Sequence, residues 1–186
     1  MGLTVLPGFL GLASDFDFLP PVDGDVLFGY SMGGRLALDL LQRRRFDKAV
    51  VVSAGLNAPD DARKQRDEEW ARRFESEEWT SLVRAWMAQP VFGGHVVERR
   101  EEDFDRAELA RQLRESSPAV LPPPHLERIE TPVLWIAGER DAKYVDVARR
   151  AVARLPHAEL WICPDAGHRV PWEQPQALVA RIRDFI

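Results

Sequence analysis

Cysteine is almost missing from this chain: Cys163 is alone among 186 residues. That excludes an intrachain disulfide and any cysteine-built metal framework, and it fits a reducing compartment, the cytoplasm. Long apolar runs are missing too. No stretch approaches the ~20 residues that a membrane helix needs. The N-terminal MGLTVLPGFL lacks the basic start and long apolar core of a secretory signal. Positive charge is not in excess: 25 Lys and Arg against 30 Asp and Glu give a net charge of −5. That balance argues against a nucleic-acid surface or a polybasic membrane anchor. It leaves room for a local arginine cluster facing a small anionic substrate. The four histidines are scattered and no Gly-rich phosphate loop occurs, so neither a metal nor an organic cofactor is expected. Internal repeats and low-complexity tracts are also lacking.

What is present is an ordinary core composition, 45% hydrophobic and 30% charged, in a chain long enough to bury one sizeable domain. Five short apolar runs stand out: Leu3–Leu6, Asp25–Phe28, Lys48–Ser53, Pro132–Ala137 and Glu159–Cys163. They are nearly continuous in Val, Ile and Leu rather than alternating. Strands covered on both faces read that way, and such strands are parallel. Helical patterns separate them at Met32–Arg44, Val145–Arg154 and Gln176–Phe185, the first with Leu36, Leu40 and Leu41 on one stripe. Alternating strands and helices predict an α/β fold.

The stretch 59–130 breaks this rhythm. It has no convincing strand, it is dense in charge, and it carries Trp70, Trp79 and Trp86. Its helices are expected to start after Asn57-Ala58-Pro59 and to end at the Pro122-Pro123-Pro124 break. The expected organisation is therefore a core of residues 1–58 and 131–186 with a helical insert at 59–130. An insert at this point of an open α/β sheet lies above the carboxyl ends of the strands, where such sheets bind ligands. The alternative is a small helical subdomain with no ligand role.

Gly29-Tyr30-Ser31-Met32-Gly33 matches the pattern G-x-S-x-G. A strand runs directly into it and an amphipathic helix leaves it, which is the strand–turn–helix setting of a nucleophile elbow. A hydroxyl needs a base to become reactive. Asp141 follows the fourth strand and His168 the fifth, in the chain order Ser, Asp, His that this fold uses. His168 would take the Ser31 proton, and Asp141 would orient the imidazole. Asp165 is the main rival to Asp141 but reads as part of the turn presenting His168. His95 and His125 fall in the insert and His157 in a surface-like Leu-Pro-His, all three solvated or structural. An oxyanion would need two backbone N–H groups. Met32 at the helix start and Phe9 in the loop Pro7-Gly8-Phe9-Leu10-Gly11 are the candidates, although that loop also reads as a simple turn.

These residues resemble the α/β-hydrolase superfamily, and within it the family of 2-succinyl-6-hydroxy-2,4-cyclohexadiene-1-carboxylate synthases (MenH). The likeness covers Gly29 to Arg35, Arg63 to Asp67, Trp70 to Phe74, Trp86 to Phe92, Gly138 to Tyr144 and Ala166 to His168. It implies a lyase of the menaquinone pathway. In that family the serine, activated by the histidine, acts as a base on the substrate ring and pyruvate leaves. The substrate carries several carboxylates, which suits the planar fork of arginine. By this resemblance Arg35, Arg63 and Arg114 are substrate-binding arginines, and Tyr30 and Trp86 line the pocket. For the arginines the plainer reading is a solvated helix face, most of all for Arg63 beside Lys64 and Arg66.

The chain departs from the family pattern at its front. Residue 1 stands where the family's third strand begins, and no strand 4 fits before Asp25. The expected sheet is thus a shortened α/β-hydrolase fold of about five parallel strands, equivalent to 3-5-6-7-8. The link Gly8–Gly24 must cross between neighbouring parallel strands, with Ser14 as the cap of a short helix covering Phe16, Phe18 and Leu19. The first strand becomes an edge, to be covered by that link or by a partner in a homodimer. A small carboxylesterase using Ser31 as nucleophile, and an inactive truncated scaffold, are the competing functions.

Overall fold

The computed structural model describes residues 2–186. Contacts divide the chain into two compact units, residues 1–56 with 124–186, and residues 57–123. The first holds strands β1 (Leu3–Leu6), β2 (Val26–Tyr30), β3 (Lys48–Val52), β4 (Val133–Gly138) and β5 (Ala158–Cys163). They form one all-parallel sheet in the order β1-β2-β3-β4-β5. This is the five-stranded α/β arrangement that the apolar runs predict.

The sheet is covered on both faces, as its unbroken apolar strands require. On one face Leu27, Val51, Val133 and Trp135 pack against helices α1 (Met32–Leu41) and α5 (Ala142–Val152). On the other, Phe28, Val50, Leu134 and Ile136 pack against Leu178, Ile182 and Phe185 of the last helix, which spans Pro175–Phe185. Odd and even positions of one strand serve opposite layers because side chains alternate along it. In β4 both sets are fully buried, and burying each such side chain contributes roughly 1.5–3 kcal/mol.

The link from β1 to β2 forms less helix than expected. It holds a single 3-10 turn, Ala13–Phe16. Ser14 lies inside that turn rather than capping it, and the Asp15 carboxylate accepts the Leu12 N–H instead. Phe16 and Leu19 are buried in the same layer that Leu3 and Val5 flank, whereas Phe18 is exposed. The link thus covers one face of β1, while its outer edge pairs with no other strand among the described residues.

The second unit comprises α2 (Asp61–Ser76), α3 (Trp79–Met87) and α4 (Arg106–Glu115). It spans Asn57–Pro123, ending within the proline run expected to close its helices and short of the 130 boundary. The difference is physical: Leu126 and Ile129 are fully buried in the α1/α5 layer of the sheet unit. Each helix is capped by an acidic side chain, Asp60, Glu78 and Asp105, accepting first-turn N–H groups. Aromatic packing joins α2 to α3, with Trp70 and Trp86 edge to face at 5.0 Å. The ends of the unit are tied together where Asn57 Nδ2 donates to the Pro122 carbonyl at 3.0 Å and the Ala58 N–H to that of Pro118 at 2.8 Å.

Candidate active site

Ser31 sits between the last residue of β2 and the first of α1 with φ 53° and ψ −111°. Few residues adopt such a backbone, and it holds the side chain up out of the turn. Its own N–H is bonded to the Val52 carbonyl of β3 at 2.8 Å. So sharp a turn requires bare neighbours. A Cβ on Gly33 would stand 1.9 Å from the Leu6 carbonyl oxygen, and one on Gly29 would stand 2.7 Å from the Gly33 oxygen.

The Ser31 hydroxyl lies 3.1 Å from His168 Nε2, and His168 Nδ1 lies 2.8 Å from an Asp141 carboxylate oxygen. Geometrically, this is a Ser–His–Asp relay, with residues arriving from β2, β4 and β5. Asp141 stands at the N-terminus of α5 yet makes no side-chain cap; its carboxylate is turned to the histidine instead. The imidazole is almost wholly buried, its side chain 2% exposed. Tyr144 packs on it with ring centroids 4.5 Å apart, and Tyr30 at 5.9 Å.

The two loops carrying Asp141 and His168 are stitched together. Arg140 N–H donates to the Ala166 carbonyl at 2.8 Å, and Glu139 N–H to that of Cys163 at 2.9 Å. Asp165, the rival acid, has φ 53° and its N–H meets the Glu139 carboxylate at 3.3 Å. It shapes the turn, while Asp141 faces the imidazole.

The other expected residues divide into two groups. Tyr30 and Arg35 belong to the sheet unit. Tyr30 is buried against Phe16, Trp172 and His168, and its phenol oxygen has no hydrogen-bond partner. Burial pushes that phenol well above its ordinary range, so it stays neutral. Arg35, on α1, is buried although it is an arginine. A Cβ built on Gly55 would touch its stem at 3.8 Å and the Tyr144 ring at 3.7 Å, so these two side chains flank the same glycine. The loop after β1 also reaches the elbow: a Cβ on Gly8 would lie 3.4 Å from that of Ser31. Phe9 follows it, and Met32 is the first residue of α1.

Arg63, Trp86 and Arg114 belong to the second unit. The Arg63 Nε donates to both oxygens of buried Asp67, at 2.7 and 2.9 Å. Arg114 bridges Glu68 and Glu75, so its guanidinium joins α4 to α2. That guanidinium holds both carboxyls below their usual range. Trp86 is buried against Trp70 and Phe74. His125 and His157 are exposed beside Glu127 and Glu130. Among the described residues no cluster of three His, Cys, Asp or Glu could hold a metal ion, and no helix is long and apolar enough to cross a membrane.

Tyr144, Trp172 and Glu173 escaped the sequence reading. Tyr144, three residues after Asp141, closes the Gly138-to-Tyr144 stretch of the family likeness, whereas the only signal of Trp172 and Glu173 was their nearness to His168, four and five residues on.

The family model described as "Alpha/beta hydrolase family" matches residues 5–182. The 2-succinyl-6-hydroxy-2,4-cyclohexadiene-1-carboxylate synthase of Escherichia coli O7:K1 is 33% identical over 174 aligned positions, covering 86% of this chain and 67% of that protein. Its counterpart in Escherichia coli O157:H7 matches to the same extent. Among solved structures, MenH from S. aureus superposes with a TM-score of 0.83 at 20% identity, covering 98% of this chain and 92% of the other. The carboxylesterase CesB from Bacillus subtilis reaches 0.61 at 19% identity, covering 98% and 82%. At such identities these two likenesses bear on the fold alone.

Proposed function

The chain belongs to the alpha/beta hydrolase family and is an enzyme; from that premise we propose that it is a menaquinone-pathway lyase of the cytoplasm, eliminating pyruvate from a cyclohexene substrate that bears several carboxylates. The observation that carries this is the Ser31–His168–Asp141 relay, at 3.1 and 2.8 Å, in a chain one-third identical to 2-succinyl-6-hydroxy-2,4-cyclohexadiene-1-carboxylate synthases.

The chemistry follows from the positions. His168 Nε2 accepts the Ser31 proton while Asp141 holds the ring and stabilises its charged form. The resulting alkoxide takes a proton from the substrate ring, the C–H electron pair shifts through the ring, and the ring C–O bond breaks; the enolate of pyruvate leaves and takes up the proton held by His168 to become pyruvate. Two N–H groups, on Met32 and Phe9, face the charge that develops. Arg35 pairs a substrate carboxylate; its charge acts strongly because its side chain is buried. Tyr30, as a neutral phenol, and Trp86 enter the proposal as substrate-contacting aromatics, each within its own unit. Arg63 and Arg114 enter the proposal as further carboxylate partners, each already engaged by acidic neighbours.

Carboxylesterase activity is the second reading, favoured by the strained φ of 53° at Ser31, which suits a nucleophile that forms an acyl intermediate. An inactive scaffold is disfavoured because Ser31, His168 and Asp141 stand within hydrogen-bond reach of one another in the order a base relay needs. Pyruvate release from the menaquinone-pathway substrate, compared between wild type and Ser31→Ala, tests the proposal. Release that vanishes in the variant supports the lyase. A folded wild type that releases none, yet cleaves p-nitrophenyl esters, replaces it with the esterase. A homodimer through the outer edge of β1 is also proposed, and a monomer in sedimentation velocity would remove it.

A further inference from the structure

Glu173 takes no part in the relay, yet its carboxylate reaches both sides of it. It is the last residue of the short helix α6 (Val170–Glu173), five positions after His168. One oxygen accepts the Gly167 N–H at 2.8 Å and the other the Arg169 N–H at 3.1 Å. The two amides flanking the histidine are therefore tied to one rigid group. The oxygen bound to Gly167 also accepts Arg140 Nη2 at 2.6 Å, and Arg140 is the residue before Asp141. Backbone bonding runs in parallel, since the Arg140 N–H meets the Ala166 carbonyl at 2.8 Å. Burial disfavours the Glu173 charge, but these N–H groups and the Arg140 guanidinium outweigh it, so the carboxyl is held below its usual range. The carboxylate therefore stays ionised, and the clamp closed, throughout and somewhat below the usual carboxylate range.

We propose that Glu173 is a positioning residue: by accepting the N–H groups on both sides of His168 and bridging to Arg140, it fixes the imidazole between Ser31 and Asp141. Three features separate this from ordinary loop bonding. Both oxygens are used, so the loop cannot rotate about a single bond. The bonded amides belong to the immediate neighbours of the histidine. The bridge ends on the neighbour of the acid and, at an exposed guanidinium, adds a weaker tie between the two loops. Displacing a reacting group by ~1 Å costs on the order of a hundredfold in rate, so such a restraint acts on turnover rather than on substrate binding.

The inference rests on reading Ser31, His168 and Asp141 as the catalytic relay, and its test carries a readout that needs no substrate. Glu173→Gln keeps the shape but has one acceptor oxygen, so one of the two N–H bonds is lost and an NH2 group faces the other amide. The low-field proton resonance of the His168 Nδ1–H bonded to Asp141 is compared with wild type, alongside kcat and KM. The expectation is a resonance weakened or lost, kcat down about tenfold or more, and KM within about threefold. Arg140→Gln, at an exposed residue, removes the bridge and leaves the two amide bonds; its kcat should fall less than about threefold, with the resonance retained. An unchanged resonance in Glu173→Gln with kcat per folded molecule within about twofold overturns the proposal, even where the melting temperature falls. Equal losses in the two variants overturn the amide clamp as the cause. A wild type without lyase or esterase activity removes the functional reading, while the resonance still decides whether Glu173 positions the ring.

Discussion

Gly33→Ala asks how tightly the elbow is built. The added methyl would stand 1.9 Å from the Leu6 carbonyl oxygen and 2.4 Å from that of Pro7, where real Cβ atoms essentially never come closer than 3.0 Å. Both obstacles are backbone, so no side chain can swing away. Either the end of β1 or the start of α1 must move by more than 1 Å, the gap between those two distances. β1 is the softer of the two, a four-residue edge strand with one pairing partner. Overpacking of this kind costs about 1–3 kcal/mol, and each ladder bond that lengthens at the β1–β2 pair adds about 1 kcal/mol. The expected destabilisation is therefore about 2–4 kcal/mol, read as a lower urea midpoint at unchanged slope. The moving segment leads into the loop proposed to supply the Phe9 N–H, so kcat of the folded variant should also fall, by about a hundredfold for a shift of this size. Gly2→Ala is the control, since a Cβ there meets nothing within 4 Å. A Gly33→Ala protein as stable and active as wild type would refute the close approach of β1 to the elbow helix.

Other outcomes follow from the same geometry. Ser31→Gly and Ser31→Ala should both lose turnover, but glycine relieves the positive φ and should leave the protein about 1 kcal/mol more stable than alanine does; the reverse order in denaturant would mean the turn is unstrained. Arg114→Ala should lower the melting temperature by separating α4 from Glu68 and Glu75, with KM for the anionic substrate within about threefold of wild type; a large rise in KM at unchanged stability would assign it to the substrate. The N–H groups of Ser81 and Thr80 hold the Glu78 carboxyl down at about 2. A depressed carboxyl stabilises above its unfolded pKa, and that contribution is lost as pH falls from 4.5 toward 2. The melting-temperature gap between wild type and Glu78→Gln should narrow across that window, and a gap independent of pH would remove the cap.

The parts of the fold that could be read from sequence are those whose residues serve one purpose. Val50, Val51 and Val52 are fully or almost fully buried on a strand covered on both faces, and an unbroken apolar run is the direct consequence. Gly29, Ser31 and Gly33 are legible because only small neighbours tolerate so tight a turn. Asp141 and His168 were found because each stands just past a strand that is itself readable. The link 8–24 was harder: it is held by Phe16 and Leu19 docking into a layer built from distant residues, not by a helix with a period of its own. Arg114 shows the other limit. Its residue type suits a substrate carboxylate and an internal one equally, and only the folded helices show Glu68 and Glu75 within reach. Glu173 is hidden for a similar reason, since nothing in a lone acid says that it will face two amides.

The way the strand ends are joined shows why the relay depends so little on the edge of the sheet. Ser31 N–H donates to Val52 of β3, Ser53 N–H to Ile136 of β4, and Glu139 N–H to Cys163 of β5. Each of the three bonds carries the ladder one residue past the end of a strand, from the nucleophile to the edge of the loop that bears the histidine. The separation of Ser31 from His168 is thus fixed by the four strands β2 to β5, all buried within or bonded to one another. β1 enters none of these three bonds; it meets the elbow by pairing Leu6 with Gly29, by the approach of Leu6 to Gly33, and through Pro7 and Gly8 in the loop that follows it. Loosening β1 should therefore weaken whatever the following loop does to a developing negative charge while leaving the serine–histidine distance intact. The expected signature is a fall in kcat with the low-field His168 resonance preserved, whereas disturbing Glu173 should lower kcat and weaken the resonance together.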